Sequence, residues 1–160
     1  MTALVLNLLR RFVVPAARES GGTFFVEYPW SFKGAAIFSW LVALAIIGLI
    51  LHPSTGVLPL FGVVIAVAFV ALAAFLHSEM FNARITYGIG GIRVFSKWGG
   101  QQAFVWSEIK SVEFSAPGQI YIVRAMGERQ FTFNHFMSGY GSLLEEIRRR
   151  SPGNMTSAHE

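Results

Sequence analysis

The sequence predicts a membrane α+β protein: a two-helix transmembrane hairpin followed by a small antiparallel β domain closed by a C-terminal helix. Three observations carry this reading. No Lys, Arg, Asp or Glu occurs between Gly34 and Leu76. From Asn82 onward the apolar residues recur with a period of two. Over Tyr140, Leu143, Leu144 and Ile147 the spacing returns to that of one helical face.

The hairpin occupies 34–76. Residues 34–51, GAAIFSWLVALAIIGLIL, are an uncharged run of about 27 Å as a helix, and 57–76, VLPLFGVVIAVAFVALAAFL, one of about 30 Å, each close to a hydrocarbon core. Only HPSTG, His52 to Gly56, lies between them, so the helices are antiparallel neighbours. Pro59 falls in the first turn of the second helix, where its missing N–H costs little. Arg10, Arg11, Arg18 and Lys33 precede the first span and Arg84, Arg93 and Lys97 follow the second, whereas HPSTG carries neither Lys nor Arg. The positive-inside rule then places both termini in the cytoplasm. Small residues in the spans (Gly34, Ala35, Ala36, Ala43, Ala45, Gly48, then Gly62, Ala66, Ala68, Ala71, Ala73, Ala74) permit close helix approach. With no ionisable residue inside either span, no proton relay or ion path is marked. His52 and His77 sit at opposite ends of the second helix, at different depths, and read as interfacial polar residues rather than haem ligands.

Residues 1–33 form an N-terminal arm. Val5, Leu8, Leu9 and Phe12 share one helical face, with Arg10 and Arg11 off it, as in a helix lying in the headgroup layer or packed on protein. The apolar stretch precedes the arginines and no small-residue cleavage site follows, which is not the order of a signal peptide. Thr23–Tyr28, TFFVEY, has strand composition, and Trp30 and Phe32 stand at the mouth of the first span as an aromatic anchor.

The β domain covers 77–150. Short alternating runs are separated by GIGG (Gly88–Gly91), Gly99-Gly100, Pro117-Gly118 and Met126-Gly127-Glu128. Trp106-Ser107-Glu108-Ile109 reads as a corner fixed by Trp106 and Ile109. The expected core is Ile92, Val94, Ile109, Val112, Phe114, Ile120, Ile122, Phe131 and Phe133. In the final helix Glu145 and Glu146 come early and Arg148, Arg149 and Arg150 end it, which suits its dipole. Ser142 with Glu145 has capping-box spacing, for a later start. The tail, 151–160, is polar and reads as disordered.

The pieces ITYGIGGIRVFSKWG, WSEIKSVEF, MGERQFTF and GYGSLLEEIRRR, in this order after a two-span hairpin and an aromatic-proline segment EYPWSF, resemble the bacterial membrane proteins that carry a pleckstrin-homology-like (PH-like) domain. The resemblance covers roughly residues 23–150. It implies a PH-like β-barrel or sandwich capped by a helix, and a multi-pass protein of the bacterial inner membrane.

Function is less legible. There is no Cys, which excludes disulfides, thiol catalysis and Cys-ligated zinc. The net charge of +4 arises with no Asp, and no basic stripe interleaves with aromatics, so nucleic acid is not an expected partner. No Ser/His/acid set, P-loop or dinucleotide fingerprint is present, and His135 reads as structural, so an enzyme and a cofactor are not expected. Related eukaryotic domains bind phosphoinositides through a basic first hairpin, whereas here that turn is the uncharged GIGG. The expected role is a scaffold or accessory subunit binding a larger membrane complex or its own copies. The alternative is a sensor of anionic lipid headgroups. Candidate lipid or partner contacts are Arg10, Arg11, Arg93, Lys97, Arg148, Arg149 and Arg150.

Overall fold

A computed structural model describes residues 17–52 and 59–151. The arm segment with Arg10 and Arg11, the turn residues Pro53–Gly56 and most of the polar tail lie outside the described residues. In chain order the elements are β1 (Arg18–Ser20), β2 (Thr23–Glu27), α1 (Trp30–Leu51), α2 (Pro59–Asn82), β3 (Arg84–Gly88), β4 (Gly91–Phe95), β5 (Gln101–Phe104), a 3₁₀ turn (Trp106–Glu108), β6 (Ile109–Ser115), β7 (Ile120–Ala125), a second short 3₁₀ turn (Met126–Glu128), β8 (Gln130–Asn134) and α3 (Tyr140–Arg150).

Both long helices outrun their uncharged runs. α1 has 22 residues and α2 has 24, about 33 Å and 36 Å. α1 begins where Pro29, extended and preceding, offers its carbonyl to the amides of Phe32 and Lys33. The helices pack along a seam that repeats every three to four residues: Ala36, Ser39, Trp40 and Ala43 on α1, and Gly62, Ala66, Val70 and Ala73 on α2. Ala36, Ala43 and Ala73 are fully buried there. Small side chains let the backbones approach, as in helix pairs that associate without a hydrophobic drive. Ser39 Oγ donates to Ala36 O within its own turn. Gly34 and Gly48 lie away from the seam, and a Cβ at either would meet open space. Around the seam, large apolar side chains point outward: Phe38, Leu41, Leu44, Leu49, Phe61, Val64 and Val67 are all exposed. Only 11% of the most apolar stretch of the first helix, and 22% of the second, is buried. By length and composition both helices suffice to cross a membrane.

The strands form two antiparallel sheets, ordered β1-β2-β3-β4-β5 and β6-β7-β8. β2 pairs with β3, with Phe25 opposite Thr86 and Glu27 opposite Arg84. The hairpin is thus an insertion between two neighbouring strands of one sheet, and the β domain draws its chain from both sides of it. The sheets do not close into a barrel. The chain leaves β5 through the 3₁₀ turn and enters the second sheet at β6, and a single bridge, Glu27 to Ser138, joins β2 to the segment after β8. A bulge at Lys110 sets Ile109 and Ser111 against consecutive residues of β7.

The core lies between the sheets under α3. Val26, Ile85, Tyr87, Ile92 and Phe104 come from the first sheet, Ile109, Val123, Ala125, Phe131 and Phe133 from the second, and Met137, Leu143 and Ile147 from the C-terminal segment. β7 turns Tyr121, Val123 and Ala125 inward, so Ile120 and Ile122 lie on its other face, contrary to the sequence expectation. The run IYIV is apolar at every position, so period two does not choose its face. Phe114 shares the inward face but sits at the rim, 45% exposed, with its ring 4.9 Å from Tyr121.

α3 starts at Tyr140, and no Ser142–Glu145 capping box forms. Gly139 caps it with φ +77°, and a Cβ there would stand 2.5 Å from Ala17. Both the left-handed backbone and the close approach of the β1 entry select glycine.

Candidate functional site

The residues that join the helices to the sheets form a cluster of side-chain and backbone bonds. Glu79, on the last turns of α2, is its hub. The Tyr28 hydroxyl donates to Glu79 Oε1 at 3.1 Å and Lys97 Nζ pairs with Glu79 Oε2 at 3.0 Å. Tyr28 lies between β2 and α1, and Lys97 lies in the turn between β4 and β5. One carboxylate therefore ties the exit of α2 to the entry of α1 and to a sheet turn. Burial, and then the Glu79 charge, push the Tyr28 hydroxyl far above its ordinary pKa, so it stays a proton donor. The Ser78 hydroxyl and the Asn82 amide both donate to Lys97 O, the latter at 3.1 Å. On the α1 side Lys33 pairs with Glu27 at 3.0 Å, while the Glu27 carbonyl accepts from Ser138 N at 2.7 Å.

Aromatic rings surround this knot. Lys33 Nζ lies 5.4 Å from the Trp30 ring and 6.0 Å from Phe81, which stacks on His77 at 4.6 Å. Lys97 Nζ lies 4.4 Å from Phe75 and 6.0 Å from Trp98. Trp30 and Trp98 are both largely exposed. The sequence shows Trp30 by its place before the first span. Trp98 has no such local signal, because its position depends on the turn docking against α2.

The second constellation is at the far end of the sheet, around GIGG. Trp106 Nε1 donates to Gly88 O at 2.9 Å, and its ring meets Tyr87 edge-on at 6.4 Å. Arg150 lies 5.2 Å from the Trp106 ring and donates to Ile89 O at 3.1 Å. It also pairs with Glu146, as does Arg149 at 2.7 Å. Hydrogen bonds from Arg149 and Arg150 hold the Glu146 carboxyl below its ordinary value. The three terminal arginines therefore differ. Arg150 pins the GIGG turn, Arg149 pairs along the helix, and Arg148 is exposed.

The 3₁₀ turn is closed by the Val105 amide, which donates to the Glu108 carboxylate at 3.2 Å. Trp106 and Ile109 are buried behind it. Arg93 is exposed on the outer face of β4 and borders a groove of about 540 Å³, together with Gly22, Gly88, Ile89, Val105 and Glu108. At Gly91 in this groove a Cβ would clash with Phe104 O. Of the predicted contacts, Lys97 joins the knot, Arg93 and Arg150 lie at the distal end, and the two groups are not brought together. His135 contacts Gln119 O through Nδ1 at 3.2 Å and lies against Phe136.

No protein-family model, curated protein or solved structure matches this chain.

Proposed function

We propose that the chain is a non-enzymatic integral membrane scaffold or accessory subunit. The hairpin spans a bacterial inner membrane with both termini in the cytoplasm, and the two-sheet domain, read as PH-like, binds a protein partner or further copies of itself. The observation that carries this reading is the insertion of the hairpin between the paired strands β2 and β3, with Tyr28 and Lys97 meeting on Glu79. A domain tethered by a flexible linker would be free to turn. This one is attached at both helix ends, which favours presenting a surface in a fixed orientation. The outward Phe and Leu side chains of the hairpin require an apolar surrounding, and the Lys and Arg distribution sets the orientation. The arginines support a headgroup receptor less well, because Arg149 and Arg150 are engaged by Glu146 and Ile89 O.

Two measurements on the full-length protein test the proposal. A Ser54→Cys variant should react with an impermeant thiol reagent from outside intact cells, and Ser157→Cys should not; reversed labelling would overturn the orientation. Purification in mild detergent followed by mass spectrometry should recover a homo-oligomer or comigrating membrane proteins. A monomer whose vesicle binding depends on anionic lipid would favour the headgroup sensor instead.

A further inference from the structure

Trp98 is 71% exposed and Trp30 74% exposed, yet neither sits on a loose loop. Trp30 opens α1. Trp98 lies in a turn closed by Ser96 N to Gly100 O at 2.7 Å and Gly99 N to Ser96 O at 3.0 Å, and clamped to α2 through Lys97 O. The depth of Trp98 along the hairpin is therefore set by Ser78 and Asn82, at the same end of the hairpin as Trp30. At about 100° per residue, Phe75, Glu79 and Asn82 fall on one side of α2 and His77 and Phe81 on the opposite side. Trp98 accompanies the first group through Lys97, and Trp30 accompanies the second through Lys33. The two indoles thus stand at the same end of the hairpin, each beside a lysine that meets a different side of α2. Each adjoins a lysine whose charge is already matched, Lys33 by Glu27 and Lys97 by Glu79.

We propose that Trp30 and Trp98 form a two-sided collar that seats in the headgroup–carbonyl layer of the leaflet on the sheet side, binding the interfacial layer of a phospholipid bilayer without preference for anionic headgroups. This rests on the membrane-spanning reading above. An indole presents an apolar body and one N–H donor, the combination that concentrates Trp at the boundary between hydrocarbon and water. A rigid pair set against different sides of a helix fixes depth and opposes tilt, whereas a single anchor fixes depth alone. Because the adjoining lysines are paired, the collar adds little net charge, and its hold depends on the indoles rather than on counter-charge in the lipid.

The test uses full-length protein in vesicles. Trp30→Phe/Trp40→Phe leaves Trp98 with the buried Trp106. Trp30→Phe/Trp98→Phe leaves Trp40, about 15 Å further along α1, with the same Trp106 background. Lipids brominated near the headgroup end of the chain should quench Trp98 about twofold more than lipids brominated at the chain end, and the order should reverse for Trp40. Trp98 quenching should be equal in zwitterionic vesicles and in vesicles containing phosphatidylglycerol, at low and high salt. Quenching of Trp40 with none of Trp98 would overturn the collar and leave the spans standing. Quenching of neither would overturn both. Trp98 quenching that needs phosphatidylglycerol, or is lost in high salt, would overturn the charge-neutral mode.

Discussion

The hairpin and the β domain are packed by opposite rules. In the hairpin the buried residues are small, Ala36, Ala43 and Ala73, and the large apolar ones face out. In the β domain Phe104, Ile92, Leu143 and Ile147 are the large, fully buried side chains. The same amino-acid types serve as filling in one region and as coat in the other. In water, stability follows the apolar area removed from solvent, so the largest side chains go inside. Where the surrounding medium is itself apolar that drive is absent, and close backbone approach decides what lies inside. Burial by itself therefore does not rank the residues of this protein.

Mutations can break this contrast. Trp106→Ala should cost most, about 3–5 kcal/mol. It removes a buried ring, the bond to Gly88 O and the surface on which Arg150 rests. Chemical denaturation in detergent, followed by β-sheet circular dichroism, reads it; unchanged unfolding would mean that the corner does not hold the two sheets. Next come seam substitutions. Ala43→Leu should cost about 1–3 kcal/mol by forcing the helices apart, whereas Leu44→Ala, one residue away and pointing outward, should change helix pairing within about 0.5 kcal/mol. The comparison is read by thermal unfolding in lipid nanodiscs. Equal costs would show that the hairpin is filled like a soluble core.

The smallest effects separate the terminal arginines. Arg150→Gln should lower stability by about 1 kcal/mol through the lost ring contact and the lost bond to Ile89 O, and Arg148→Gln by less than about 0.5 kcal/mol. The pairing of Glu146 adds a pH dependence. Its pKa is depressed in the fold, so the stability it contributes is present above the ordinary carboxylate value of 4.5 and is lost as pH falls through the lowered value. Glu146→Gln should flatten that acid limb of a stability-versus-pH curve, and an unchanged limb would place its cause elsewhere.

The elements whose signals are local are legible in the amino-acid order alone. The uncharged runs specify the bulk of α1 and α2, period two marks β3, β4 and β8, and Tyr140, Leu143, Leu144 and Ile147 give α3 its buried face. Three other features arise from long-range packing. β2 joins β3 across the whole hairpin, a pairing no local window contains. β7 buries Tyr121 and Val123 rather than Ile120 and Ile122, because every residue of that run is apolar and its neighbours on β6 and β8 set the register. Tyr28 and Lys97 converge on Glu79, the tyrosine 51 residues away along the chain. Hydrophobic period is a property of one segment and survives in sequence. Pairing and polar convergence are properties of distant segments, and they exist only once packing has brought those segments together.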